Sequence, residues 1–170
     1  MDQATKRVAD GLLKAMQAER EGQHFYRMAA AATEDEQGRR TFLDLAADEE
    51  EHESFLKKQY ESMARTGKLD GSAQLGAPRE FSAHHPIFSE ELQRRVAGAH
   101  YEMTALSIGI QLEMSAVKFY EGEAAAVSEA RARDFYRQLA VWERGHLSAL
   151  QRQADELKGD YWGAAGFAPF

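Results

Sequence analysis

Residues 45–56, LAADEEEHESFL, and residues 139–150, LAVWERGHLSAL, are the two stretches on which the reading of the whole chain turns. Each begins and ends on Leu and carries Glu-x-x-His in its middle, so that Leu45, Glu49, His52 and Leu56 match Leu139, Glu143, His146 and Leu150 at a constant offset of 94 residues. The match continues upstream, where Glu19, Phe25 and Tyr26 fall on Glu113, Phe119 and Tyr120. The chain is therefore two copies of one helical hairpin. In each copy a lone Glu precedes the motif by 30 residues, from 19 to 49 and from 113 to 143, with a turn signal near the midpoint. At about 1.5 Å per residue each arm is roughly 22 Å long, so the lone Glu and the motif stand level on facing helices.

Outside those stretches the sequence reads as helix, being rich in Ala, Leu, Glu, Arg, Gln and Met, with its three prolines all at Pro78 or later. Leu12, Met16, Glu19, Gln23, Tyr26, Ala30 and Thr33 keep one face of a first helix. Thr33 with Glu36 makes a capping-box signal for a second, whose seam is Phe42, Leu45, Glu49, His52, Leu56 and Met63 and which stops at Gly67. Residues 67–99 hold Gly, Ser and Pro and read as a connection, with a short helix from Ser89 to Val96. A third helix runs from about His100 to Val127 on the seam Leu106, Ile110, Glu113, Val117, Tyr120 and Ala124. Ser128 is placed to cap a fourth, with Tyr136, Leu139, Glu143, His146, Leu150 and Leu157 inward. The expected architecture is all-α: a four-helix bundle over residues 1–158, hairpin 1 at about 4–66 and hairpin 2 at about 100–158. The 33-residue crossover between them, 67–99, is long enough to span the bundle end to end. Residues 159–170, glycine-rich with Tyr161, Trp162, Phe167 and Phe170, form a tail expected to pack on the bundle or on a second subunit.

The seam residues carry the chemistry. Positions three apart share a helix face, so Glu49 points with His52 and Glu143 with His146. A bare carboxylate on an apolar seam costs several kcal/mol in desolvation. Four of them at one level must bind protons or cations, and two divalent metals balance four glutamates while neutral imidazoles add one nitrogen each. Such an oxygen-rich set with two histidines suits iron or manganese better than zinc. One Glu-x-x-His pair is common by chance; two, each 30 residues after a seam Glu in a repeated hairpin, are not. Asp48, Glu50, Glu51 and Glu53 flank the first motif and read most simply as a solvated helix face. His84, His85 and His100 are expected to be exposed, and His24 lies off the seam.

Composition narrows the rest. The 170 residues carry 28 Asp plus Glu, 21 Lys plus Arg and a formal net charge of −7, which gives no positive field for nucleic acid or anionic lipid. No apolar run approaches the roughly 20 residues of a spanning helix, and Met1 to Lys14 lacks a continuous apolar stretch, so the cytoplasm is the expected compartment. There is no Cys, which removes disulfides, thiolate nucleophiles, iron–sulfur clusters and Cys-bound zinc.

The motifs Glu19-x-x-Gly22-x-x-Phe25-Tyr26, Glu49-x-x-His52, Glu113 followed by Phe119-Tyr120, and Glu143-x-x-His146 resemble those of the ferritin-like di-iron carboxylate proteins, specifically the rubrerythrin-like branch. The resemblance covers both hairpins. It implies a ferritin-like bundle in which Glu19, Glu49, His52, Glu113, Glu143 and His146 bind two iron ions, with manganese or a mixed pair as variants. Tyr26 and Tyr120 are implied as hydrogen-bond donors to those ligands, or else as ordinary core tyrosines. The implied activity is a non-haem di-iron oxidoreductase reducing hydrogen peroxide or dioxygen, with ferroxidase or iron handling as the alternative. Rubrerythrins commonly append a small Cys-ligated iron domain; without Cys, this chain is expected to draw on an external electron donor such as a rubredoxin-like or flavin protein. A homodimer is also expected. Ala116 stands where rubrerythrins commonly carry an extra metal-binding Glu.

Overall fold

A computed structural model describes residues 3–73, 75–76, 86–94 and 100–164, with the backbone alone for 4 and 160–164. Four long helices, α1 (Gln3–Ala32), α2 (Glu36–Thr66), α4 (His100–Ala126) and α5 (Ala130–Ala164), and one short one, α3 (Glu90–Arg94), are joined without any strand among the described residues. α1 packs along α2 and α4 along α5, giving the two hairpins, while α1 and α4 approach each other less closely and touch chiefly through side chains, from Arg7–Glu123 at one end to Thr33–Glu102 at the other. No helix among the described residues is long and apolar enough to cross a membrane.

The first turn is built differently from the capping box expected at Thr33. The N-cap of α2 is Asp35, in extended backbone at φ −76° and ψ 115°, and its carboxylate accepts from the Gly38 N–H at 2.8 Å. Thr33 is buried and donates its hydroxyl to Glu102 of α4 at 3.0 Å, so a tertiary partner claims the side chain that would otherwise cap. Asp35 also accepts from the Ser89 N–H at 3.2 Å and from its hydroxyl, which ties the crossover to the hairpin turn. Phe88 seats there against Gly38, where a Cβ would collide with the ring. The turn thus needs glycine for the close approach and not for its φ.

At the other end of α2, Gly67 adopts the left-handed conformation at φ 71° and donates its N–H to the Met63 carbonyl, the C-cap the sequence indicates. α3 lies within the expected Ser89–Val96 span, and the Ser89 hydroxyl accepts from the Leu92 N–H at 3.3 Å; residues 95–99 lie outside the described residues. In α5 the first intrahelical bond runs from the Arg133 N–H to the Glu129 carbonyl, 3.0 Å. Glu129 is therefore the cap position and Ser128 stands one residue ahead of it. α5 continues past the expected end at 158, through Gly159 to Ala164, because neither proline nor a left-handed glycine interrupts it there. The side chains of Tyr161 and Trp162, and all of Phe167 and Phe170, lie outside the described residues, as do His84 and His85.

Two apolar layers fill the bundle. One gathers Leu12, Leu56, Met63, Tyr120, Tyr136 and Leu139; the other gathers Tyr26, Phe42, Leu45, Leu106, Leu150 and Leu157. The repeat shows in their aromatic pairs: Tyr26 stacks on Phe42 and Tyr120 on the 94-related Tyr136, each with centroids 6.3 Å apart. Repeat-related residues also differ in a meaningful way, since Val8 and Val127 are apolar core where Glu102 and Thr33 form a buried polar pair. Between the two layers lies a polar one.

Candidate metal centre

The polar layer consists of the six seam residues. Glu19 comes from α1, Glu49 and His52 from α2, Glu113 from α4, Glu143 and His146 from α5, and none is more than 3% exposed. They form two overlapping groups, Glu19, Glu49, His52 and Glu143, and Glu49, Glu113, Glu143 and His146, within each of which one ligand atom per residue lies within 4.8 Å of the others. Glu49 and Glu143 belong to both. His52 Nδ1 lies 3.1 Å from Glu143, 3.3 Å from Glu49 and 3.4 Å from Glu19. His146 Nδ1 lies 3.6 Å from Glu143 and 3.7 Å from both Glu49 and Glu113. The two imidazoles stack with centroids 5.8 Å apart.

Both tyrosines singled out in the sequence reach this layer, and each crosses to the other hairpin. Tyr26 donates its hydroxyl to Glu113 Oε1 and Tyr120 donates to Glu19 Oε1. Burial, and then the neighbouring carboxylate, pushes each phenol far above its ordinary range, which keeps both as neutral donors.

The electrostatics of the bare residues are those of a site short of positive charge. Burial, followed by the charges of Glu143 and Glu49, holds the Glu19 carboxyl protonated well above the usual carboxylate range. Burial and Glu49 do the same at Glu113. For His52 and His146 burial opposes the charged form, but the surrounding carboxylates prevail and raise both. At Glu49 burial is outweighed by close contacts with Glu19 first and then with His146 and His52, and at Glu143 burial and the charge of Glu49 are outweighed by close contacts with His146 and His52, so both are lowered. Close as they are, several of these contacts are charge contacts without hydrogen-bond geometry: Glu49 Oε2, Glu143 Oε1 and His52 Nδ1 make no hydrogen bond among the described residues. Buried polar atoms left without partners cost about 1–3 kcal/mol each. Cations at the centre would satisfy them, so the donor set fits a pair of oxygen-preferring divalent metals.

Between α1 and α4 a cavity of about 290 Å³ opens onto Glu19, Glu49, Glu113 and Glu143, walled by Ala18, Gly22, Leu112, Ala116 and Phe119. Gly22 faces Glu49, where a Cβ would make ordinary van der Waals contact with the carboxylate at 3.5 Å, so the α1 wall lies beside that ligand without the spacing requiring glycine. Ala116, half-buried, is part of the same wall.

Two residues beside the motifs behave differently from the sequence reading. Asp48 is not on a solvated face: it is fully buried, with Oδ2 3.2 Å from His146 Nε2. Glu53 is half-buried and pairs with Arg20 at 3.1 Å, whereas Glu50 and Glu51 are exposed as expected. α2 packs against both α1 and side chains of α5, so its buried face is wider than one seam and takes in the position before Glu49. Trp142, which the sequence reading passed over, packs against His52 with centroids 4.8 Å apart. His24 and His100 are exposed and reach none of these groups.

Comparison with curated proteins and with solved structures gives no match. The family model named Rubrerythrin matches residues 10–154, which takes in the six clustered residues, both tyrosines and most of each hairpin. The chain belongs to the rubrerythrin family.

Proposed function

We propose that this chain is a non-haem di-iron oxidoreductase that reduces hydrogen peroxide, or dioxygen, with electrons from an external donor. Glu19 and His52 would hold one iron, Glu113 and His146 the other, and Glu49 and Glu143, members of both groups, would serve both. Two ferrous ions bound there would supply the two electrons that, with two protons, convert one hydrogen peroxide to two waters. The chain's own residues do the rest. Tyr26 and Tyr120 hold Glu113 and Glu19 in place through their hydroxyls and stand as proton donors at Oε1 of each. The apolar layers on either side exclude bulk water, and the 290 Å³ cavity admits small oxidants between α1 and α4. Since none of the 170 residues is Cys, no thiolate-bound iron within them feeds the centre, and a rubredoxin-like or flavin protein is the proposed donor. A reducing cytoplasm suits that supply, and a homodimer is the proposed assembly.

The observation that carries the reading is the convergence of four carboxylates and two imidazoles in one dry layer, with a tyrosine hydroxyl on each non-shared glutamate. The test is anaerobic loading with ferrous iron, a metal count, and reoxidation by peroxide and by dioxygen with and without a reductant. Two irons per chain and sustained peroxide turnover are expected. A single round of oxidation followed by ferric release, with no turnover, would replace this reading by a ferroxidase.

A further inference from the structure

The two hairpins match closely, yet the residue just before each Glu-x-x-His motif is Asp48 in α2 and Trp142 in α5. Both are buried, and each touches the histidine of the other hairpin. Both imidazoles turn Nδ1 toward the carboxylates, which leaves Nε2 as the outer nitrogen. On His146 that nitrogen faces Asp48 Oδ2 at 3.2 Å; a carboxylate only accepts, so Nε2–H donates. On His52 it has no hydrogen-bond partner among the described residues, and the ring meets the Trp142 indole edge-on at 76°.

These surroundings act differently on a metal ligand. A carboxylate at the outer nitrogen fixes the tautomer, aims the Nδ1 lone pair inward and makes it more basic. Its charge, buried and close, also favours a cation on that side. An indole offers bulk and a π surface, selects no tautomer and brings no charge. We infer that the two metal positions are unequal: the position of His146 and Glu113 takes the first divalent cation and holds it more tightly than that of His52 and Glu19, with Asp48 as the positioning residue that sets the order. The inference rests on the di-metal reading above and concerns binding, so it stands or falls separately from turnover.

Two cations sharing Glu49 and Glu143 would repel and fill in two steps even in a symmetric site. The order of filling, therefore, is what decides. Metal-free full chain is titrated with Co(II) by calorimetry and by visible absorption. His146→Ala is expected to weaken the first step by tenfold or more, whereas His52→Ala leaves it within about threefold and removes the second. Asp48→Asn keeps an acceptor at His146 but removes the charge; it is expected to weaken the first step about tenfold, in the range usual for such outer partners, and to bring the two constants together. Trp142→Phe should leave the first step unchanged. Equal weakening of the first step by the two histidine variants, or an Asp48→Asn protein that keeps the wild-type ratio of constants, would overturn the inference while leaving a two-metal site intact. Absence of Co(II) binding to the wild-type chain would overturn the di-metal reading itself.

Discussion

Metal loading should stabilise this fold more at about pH 8 than at about pH 6, and the cause lies in where the metal-free protein keeps its protons. Glu19 and Glu113 are raised above the ordinary 4.5 by burial first and neighbouring carboxylates second. At His52 and His146 burial opposes the charged form but the close surrounding carboxylates outweigh it, raising both above 6.5. A group whose folded value lies above its unfolded one stabilises the fold fully below the unfolded value and loses that contribution as pH rises through the folded value. All four groups are of this kind. Glu49 and Glu143, which are lowered, stabilise above 4.5 and lose that contribution as pH falls, outside the window considered. The metal-free protein should therefore melt at lower temperature as pH climbs past about 6.5. Two divalent cations replace the same four positive charges and require those groups to release up to four protons, so binding strengthens over the same interval. At a metal concentration 100 times the dissociation constant, binding to the folded state contributes about 2.7 kcal/mol, which for a chain of this length raises Tm by about 5–11 °C. The assay is thermal unfolding of metal-free and Mn(II)-saturated protein across that pH range. A metal-free Tm that holds or rises with pH, together with a metal-induced increment independent of pH, would refute the reasoning.

Three substitutions probe separate layers. Tyr120→Phe removes the hydroxyl that Glu19 accepts from; a hydrogen bond to a charged group contributes about 1.5–3 kcal/mol. Iron-loaded Tyr120→Phe should thus reduce peroxide about tenfold or more slowly while its far-UV circular dichroism is unchanged. Ala116→Leu narrows the cavity wall. With a steric cost like that of overpacking, about 1–3 kcal/mol, it should slow reoxidation by an organic hydroperoxide about 5- to 160-fold and by hydrogen peroxide much less, as stopped-flow absorbance would record. Leu56→Ala empties a fully buried position beside the metal layer and should cost about 2–5 kcal/mol in urea unfolding.

Much of this was legible because buried helix faces leave a period in the sequence. The seams through Leu12, Glu19 and Tyr26 and through Leu45, Glu49, His52 and Leu56 are buried as their spacing requires, and the 94-residue repeat brought all six clustered residues to one level. What escaped depends on contacts that spacing does not encode. Asp48 sits one residue off its seam and reads as solvated until the side chains of α5 are placed beside it. The two turn residues Thr33 and Asp35 are both able to cap, and the choice is made by Glu102 and Ser89, which lie 69 and 54 residues away in sequence. Trp142 carried a signal in the repeat itself, since its counterpart is Asp48. An indole aligned with a carboxylate beside a repeated ligand motif marks a place where the two halves had diverged.

The central claim is that these six residues hold two metals. Its most direct measurement is an anomalous difference map, at the iron absorption edge, from crystals of anaerobically iron-loaded protein. Two peaks are predicted, both between Glu49 and Glu143, one beside His52 and Glu19 and the other beside His146 and Glu113. A map with no peak in that layer, or with iron bound only at the protein surface, would contradict the account.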